Sequence, residues 1–439
     1  MMPRLVIALL VVAVVCAPVS AANWTINRVN HMVLTPPGGV TVQEMSGVTY
    51  VGPAGGAYRF IAAEQTKGEL VQFDVTVSAA GAVTAISNVV AIDISSSADL
   101  EGIAYTNPGR SSVFVSDELA AGPRVLEVNL ATGTNYQSVT IPSVFTGHAR
   151  TNRGFESLSR SLDGKEMWTA NEEALTVDGS AATPDAGTVV RLVRFNVAGN
   201  GVTASQQYAY PVEAMHGPYL LGNGQSGLSD LTLMPDGTLL GLERSLANVE
   251  TLAYRSRIFE IAFAGATDVS VAPLASGLTG QSYTPVAKVA LFDGAADGAL
   301  GQNLEGLARG PRLANGSWLL LGVVDDRPGD LDTLSANSVV AFTASANTTA
   351  DFNADGQVDG DDFLAWQRGL GKAVGAKLVD GDGDRDGDVD AADLQLWRAA
   401  SAAPAGAAAP EPSGAMLAPA GLVALQFRRP RQHRGKASG

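Results

Sequence analysis

From residue 23 to about 345 the chain alternates between short apolar runs and turn signals. Val113-Phe-Val-Ser116, Val189-Val-Arg-Leu-Val193, Thr238-Leu-Leu-Gly-Leu242 and Trp318-Leu-Leu-Leu-Gly-Val-Val324 are such runs, and Asp163-Gly164, Asp236-Gly237 and Asn315-Gly316 are turn pairs between them. The runs have the length of strands, and the Gly pairs supply the positive φ that tight hairpins require. Few long helical periodicities compete, so the pattern predicts an all-β fold rich in hairpins.

A longer period lies beneath this one. An acidic or hydroxyl residue sits inside a small–apolar phrase five times: Glu44-Met-Ser-Gly-Val48, Asp99-Leu-Glu-Gly-Ile103, Gly154-Phe-Glu-Ser-Leu158, Gly227-Leu-Ser-Asp-Leu231 and Asn303-Leu-Glu-Gly-Leu307, with starts 55 to 76 residues apart. Each phrase is followed by an apolar run that ends in acid: Glu64, Asp117-Glu118, Glu172-Glu173, Glu243-Arg244 and Asp325-Asp326. The spacing suits one four-stranded propeller blade plus loops. Six blades are favoured, with five or seven also compatible, because a sixth repeat could have diverged near residues 185–215. Radial symmetry would gather the acids around one mouth of the central channel. The bland alternative is that strand ends simply favour Asp, Glu and Gly.

Beyond a short linker at 346–350, the pattern changes to two acidic loops 31 residues apart. The first offers Asp351, Asn353, Asp355, Gln357 and Asp362; the second offers Asp382, Asp384, Asp386, Asp388 and Asp393. Calcium takes six to eight oxygens, and these stand at loop positions 1, 3, 5, 7 and 12, with Gly356 and Gly387 at the sharp turn. Val358 and Val389 at position 8 suit a short β contact between loops. Trp366 and Trp397 each lie 15 residues after their loop start, on an expected exiting helix. Residues 351–398 resemble a type I dockerin. The resemblance implies two calcium ions and a cohesin-like partner, and 12 aspartates in so short a stretch imply calcium-dependent folding.

The two ends carry their own signals. Arg4, the apolar run Leu5–Val15 and the small residues Val19-Ser20-Ala21-Ala22 predict a secretory signal over 1–22. Residues 399–409 are an Ala/Pro-rich spacer. Pro410-Glu411-Pro412, the apolar stretch Ala415–Leu425 and Arg428-Arg429 resemble a PEP-CTERM sorting signal over 410–439. That resemblance implies exosortase-type sorting machinery and a cell-surface or extracellular location in a Gram-negative bacterium. Cys16 is the single cysteine and falls within the signal, so disulfides and thiolate metal sites are excluded from the mature chain. The net charge of −15 argues against nucleic acid as a partner.

The phrases at 99–103, 154–158, 227–237 with Leu242-Glu-Arg-Ser245, and 303–307 also resemble the bacterial phytase-like group described as having esterase-like activity. The resemblance spans roughly 40–345 and implies a β-propeller and hydrolysis of a small phosphate or other ester. A ring of carboxylates could hold divalent metal, calcium included, that polarises the ester and activates water. Glu101, Asp117, Glu118, Glu156, Glu172, Glu243, Arg244 and Glu305 are the candidate catalytic or metal-binding residues. Arg153, Arg244 and Arg327 could grip phosphate oxygens, or could pair with neighbouring acids. His148 and His216 are further acid–base candidates, though a lone histidine is more often structural. No Gly-x-Ser-x-Gly elbow, Arg-His-Gly-x-Arg motif or phosphate-cradling Gly loop is present. The competing reading is a non-enzymatic propeller that binds a ligand or protein at the cell surface.

Overall fold

The structure is a computed structural model that describes residues 22–38, 40, 42–94, 99–107, 110–118, 122–219, 224–248, 252–296, 302–325 and 337–402. The expected secretory signal (apart from Ala22), the sorting tail, Asp326 and Arg327 lie outside these residues.

Among the described residues, twenty strands form five antiparallel four-stranded sheets. The first strand, β1 (Trp24–Val33), is held over for the last sheet. Blade A holds β2 (Met45–Ala54), β3 (Ala57–Glu64), β4 (Glu69–Val77) and β5 (Val83–Asp93). Blade B holds β6 (Leu100–Asn107), β7 (Ser112–Asp117), β8 (Arg124–Asn129) and β9 (Asn135–Ser138). After a short helix, α1 (Ser143–His148), blade C holds β10 (Ser159–Arg160), β11 (Glu166–Ala170), β12 (Thr188–Ala198) and β13 (Gly201–Val212). Blade D holds β14 (Gln225–Leu233), β15 (Leu239–Asn248), β16 (Leu252–Ala262) and β17 (Ala287–Asp293). Blade E holds β18 (Leu304–Arg312), β19 (Trp318–Val324) and β20 (Ser338–Ala346), and β1 completes it by pairing antiparallel with β20 from Trp24↔Ala346 to Val33↔Ser338.

Five blades close the circle, so the favoured sixth blade is corrected to none. The stretch 185–215 forms β12 and β13, the outer strands of blade C. The wide spacing around it comes from the long segment between β11 and β12, and the next wide interval has a similar source. The segment between β16 and β17 is filled by a small cluster, Val269, Leu274 and Leu278 against Ala209, not by a further sheet.

The core is divided among the interfaces between blades. Phe60, Phe73, Leu319 and Leu321 join blades A and E; Ile61, Leu70, Val113 and Leu126 join A and B. Phe114, Phe155 and Phe195 join B and C, Trp168, Leu192 and Ile261 join C and D, and Leu240, Leu320 and Phe342 join D and E. This explains the strand patterns. Inner strands such as β7 are buried throughout, whereas the outer strand β5 mixes buried and exposed positions.

The fourth phrase position shows why small residues recur. A Cβ on Gly47 would lie 2.6 Å from the Glu101 carbonyl oxygen, one on Gly102 would lie 2.4 Å from the Ser157 carbonyl carbon, and one on Gly306 would lie 2.5 Å from the Ser46 carbonyl oxygen. The innermost strands approach each other through these positions, where a side chain would displace backbone. The fifth position supplies Val48, Ile103, Leu158, Leu231 and Leu307, all buried, as an apolar ring across the channel.

The linker residues are pinned: the Asn347 amide donates to the Asn23 carbonyl at 2.8 Å, and Ala350 is buried. The module that follows has two helices, α2 (Gly360–Gly369) and α3 (Ala391–Ser401), each opened by a capping box, Asp359 with Asp362 and Asp390 with Asp393. Trp366 Nε1 donates to the Asp390 carbonyl and Trp397 Nε1 to the Asp359 carbonyl, both at 2.7 Å. The matched tryptophans thus tie each helix to the other's cap. Val389 bonds through both backbone groups to Lys372 and Gly371, so its strand contact is with the chain leaving α2, not with the expected Val358. The second loop lies against the propeller: Arg385 donates to Asp236 at 3.0 Å, and Arg312 pairs with Asp384 at 3.2 Å and with Asp386.

Candidate metal centre at the acidic mouth

The third phrase position is aimed by a break in strand pairing. The register slips between Met45 and Val48, between Leu100 and Ile103, between Leu228 and Asp230, and between Leu304 and Gly306. These breaks release Ser46, Glu101, Ser229 and Glu305 from regular pairing, as bulges commonly do beside sites. In blade C the isolated bridge Phe155↔Asn171 precedes the regular pairing that starts at Ser159, and Glu156 falls in the gap.

Glu101, Glu118 and Glu156 are each at most 6% exposed, and each brings one carboxylate oxygen within 4.8 Å of the others. Glu101 accepts from Ser46 Oγ and from Gln65 Nε2, both at 2.6 Å, and Glu118 accepts from the Gly154 amide. No cation of the chain bonds directly to any of these three among the described residues. Burial, then repulsion from Glu118 and Glu305, raises Glu101 well above the usual carboxylate range. Burial, then Glu101 and Glu118, does the same to Glu156. Glu118 is pushed up to about 8 by burial and by Glu172.

The other half of the mouth is neutralised. Arg153 Nη1 donates to Glu172 Oε2 and Arg244 Nη2 to Glu172 Oε1, both at 2.7 Å. Arg244 Nη1 also bonds Glu305, and it reaches Asn303 Oδ1 at 3.2 Å. Burial alone would raise Glu172, but the two guanidinium groups pull it below its ordinary value. Asn303 Nδ2 continues the network to Asp325 at 2.9 Å. Both described arginines proposed to grip phosphate are therefore engaged by carboxylates.

Six of the eight candidates, Glu101, Glu118, Glu156, Glu172, Arg244 and Glu305, thus belong to one network. Asp117 and Glu243 do not. Successive strand residues face opposite sides, so Asp117 pairs with Arg124 across β8, and Glu243 accepts from Tyr210 Oη at 2.8 Å and pairs with Lys288. His216 Nδ1 lies 2.9 Å from Ser245 Oγ, and burial with Arg255 and Arg257 holds the ring down to about 4. His148 sits beside Thr176. Sequence reasoning missed Gln65, Asn303 and Asp325 as network members. Asn303 and Asp325 stood in the repeat phrases and were readable as a fifth equivalent; Gln65, one residue past its strand, gave no signal.

Three carboxylates fit a hard divalent cation. Oxygens bound to one calcium at about 2.4 Å can stand up to about 4.8 Å apart, and a buried trio without a counter-ion must otherwise take up protons. A cleft of about 110 Å³ leads to Glu118, lined also by Arg150, Thr151, Asn152 and Gly154. The larger cavity, about 410 Å³, lies at the opposite end of the channel, beyond the apolar ring.

The ten calcium-loop candidates form two matched turns. Asp351 accepts from the Asp355 and Gly356 amides at 3.1 and 2.8 Å, and Asp382 from the Asp386 and Gly387 amides at 3.1 and 3.0 Å. Asn353 Oδ1 accepts from the Asp355 amide at 3.0 Å, and Asp355 accepts from the Gln357 amide at 2.9 Å. Asp362 and Asp393 each close their loop through the backbone at 2.7 Å. Gly356 and Gly387 have φ of +88° and +91°, as the sharp turn requires. In the second loop, oxygens of Asp382, Asp384 and Asp393 lie within 4.8 Å of one another, and buried Asp388 Oδ1 has no hydrogen-bond donor.

Among solved structures, the chain is similar to Kuenenia stuttgartiensis hydrazine synthase, at 11% identity over 71% of this chain and 67% of that one, with a TM-score of 0.26. It is similar also to a hypothetical protein from Leishmania major, at 10% identity over 72% and 90%, with a TM-score of 0.32. At such scores neither likeness bears on chemistry. No curated protein matches the chain. The sequence model of one family, described as phytase-like with the esterase-like activity of phytase, matches residues 40–326. The chain belongs to this phytase-like family.

Proposed function

We propose that the propeller is a divalent-metal-dependent hydrolase of small esters or phosphate esters, exported and sorted to the cell surface, with a calcium-binding, dockerin-like module beside it. The observation that carries the catalytic part is the clustering of Glu101, Glu118 and Glu156, buried and without a direct cationic partner, beside a cleft. Dispersal of these acids over the rim would have spoken for binding alone. Glu101, Glu118 and Glu156 would hold the cation; when bound, it would polarise the ester and lower the pKa of water. Glu118 also lines the cleft, so it stands nearest an entering ester. The pair Arg153–Glu172 and the triad Glu172–Arg244–Glu305 fix the wall of the site and keep its local charge low.

The engagement of Arg153 and Arg244 favours one alternative. A phosphate would find neither guanidinium fork free, which suits an uncharged acyl ester or a non-catalytic propeller that binds a ligand at the surface. The deciding assay is hydrolysis of generic phosphate and acyl esters by the full chain, with calcium and with EDTA, beside Glu156→Gln. Metal-dependent turnover lost in Glu156→Gln is expected. No turnover of either ester class by the folded protein would leave the binding reading.

For the module, the matched loops, the orphan Asp388 oxygen and the reciprocal tryptophans support two calcium ions and attachment to a cohesin-like protein. Export and sorting rest on the sequence signals at 1–22 and 410–439. Far-ultraviolet circular dichroism should show helix lost in EDTA and regained with calcium; equal helix in both would sink the calcium part.

A further inference from the structure

The channel has a second mouth whose chemistry is the opposite of the first. Counting from Glu305, Arg309 lies four residues further along β18, about 13 Å at the rise of an extended strand. Between them stands the apolar ring of fifth phrase positions. The cavity of about 410 Å³ beyond that ring is lined by Tyr50, Tyr105, Arg160, Arg309 and Trp318, among others, and no carboxylate lines it among the described residues.

This is unusual for a chain with 44 acids and 29 bases. Buried and half-buried arginines elsewhere, such as Arg59, Arg153, Arg191 and Arg244, are paired with acids. Arg160 and Arg309 make no ion pair among the described residues. Arg309 Nε donates to the Leu233 carbonyl at 3.0 Å, and its guanidinium carbon sits 5.5 Å from the centre of the Trp318 ring. Arg160 bonds the Gly164 carbonyl at 2.7 and 3.2 Å, and its Nη1 is buried with no acceptor. Burial pulls Arg309 down to about 10, and burial lowers Arg160 as well, with Glu127 and Asp163 partly offsetting it. A desolvated guanidinium lacking a counter-ion is the complement of an oxyanion.

Three of the cavity's hydroxyl groups take part in bonds between blades. Thr49 Oγ1 accepts from the Tyr105 amide at 2.9 Å, Ser159 Oγ from the Leu233 amide at 2.8 Å, and Thr232 Oγ1 donates to the Leu307 carbonyl. These bonds staple neighbouring blades; Arg160 and Arg309 are the charged groups of the lining, and the rings of Tyr50, Tyr105 and Trp318 supply an apolar wall.

We infer that this second mouth is a binding site for a small molecule bearing an oxyanion on an apolar body, held by Arg309 and Arg160 against the aromatic wall. The site is separate from the acidic mouth and does not depend on hydrolysis there. The test is calorimetric titration of the full chain with benzoate and, separately, with inorganic phosphate. The probes isolate the charged head with and without an apolar body. Saturable binding of benzoate at one site is expected, weakened at least tenfold in Arg309→Met and unchanged in Glu156→Gln. Quenching of fluorescence on binding should vanish in Trp318→Phe. If Arg309→Met fails to fold, Arg309→Lys decides: it keeps the charge, loses the fork and should weaken binding severalfold. No saturable binding of either anion by the folded wild type, or equal affinity in wild type and the folded Arg309 variants, would overturn the site. Binding of phosphate without benzoate would overturn the apolar half.

Discussion

Replacing Glu118 with Gln should have opposite effects with and without metal. In the metal-free protein Glu118 is held at about 8 against 4.5 for an ordinary glutamate. A carboxyl raised in the folded state favours folding least above its folded pKa. Its penalty is absent below pH 4.5 and grows as pH rises through the window to about 8. At pH 7 the window has been crossed for two and a half pH units, which at ~1.4 kcal/mol each amounts to about 3 kcal/mol. Coulomb's law gives a similar scale: two ionised carboxylates within 4.8 Å repel by ~3.5 kcal/mol at an effective dielectric constant of about 20. Gln keeps the acceptor for the Gly154 amide and removes the charge. In EDTA at pH 7, Glu118→Gln should therefore be more stable than wild type by about 3 kcal/mol, or roughly 4–5 °C in Tm for a propeller of this size. With saturating calcium or magnesium the wild type should gain stability from binding, and the variant should gain much less. The assay is thermal unfolding of both proteins, with EDTA and with metal, from pH 4.5 to 8. A variant less stable than wild type in EDTA, or wild-type stability that rises across this window in EDTA relative to the variant, would refute the charge argument.

Gly102→Ala should destabilise the propeller by ~3 kcal/mol or more, because the added methyl meets blade C backbone at 2.4 Å, while Gly147→Ala, with nothing within 4 Å, should fall within ~1 kcal/mol of wild type in urea unfolding. Arg191→Met should cost about 3–5 kcal/mol, since Arg191 and Asp178 are fully buried and bonded at 2.7 and 2.8 Å, and the double variant with Asp178→Leu should recover part of it. Trp366→Phe should loosen the module by about 1–2 kcal/mol through loss of the bond to Asp390, read as a raised calcium midpoint in circular dichroism.

The repeat phrase was legible because one geometric demand recurs at each position. Its small residue sits where inner strands touch, its apolar residue fills the channel, and its acid occupies a break in pairing. Those demands are local, so a single sequence records them. Blade number was less legible, because repeat spacing measures chain length, and blades C and D carry additional loop and packing segments between their strands. Closure by β1 was invisible for a similar reason: an edge strand with partial alternation does not name its partner. Within the site, pairs such as Asp117-Glu118 and Glu243-Arg244 left open which residue faces the axis. Strand alternation answers it, but only once the register is known. The basic mouth left no signal, since Arg160 and Arg309 acquire meaning from the acids that are missing around them.

The clasp between β1 and β20 also sets an order of events. Thr25 and Asn347, which bond side chain to side chain across it, are 322 residues apart in sequence. A chain emerging amino end first carries β1 as an open edge until nearly the whole propeller has followed. Every other blade is assembled from neighbouring hairpins, but the last waits for the two ends to meet. Loop closure over that distance is slow and leaves an edge available to other chains meanwhile. The ring is therefore most exposed to mispairing just before it closes.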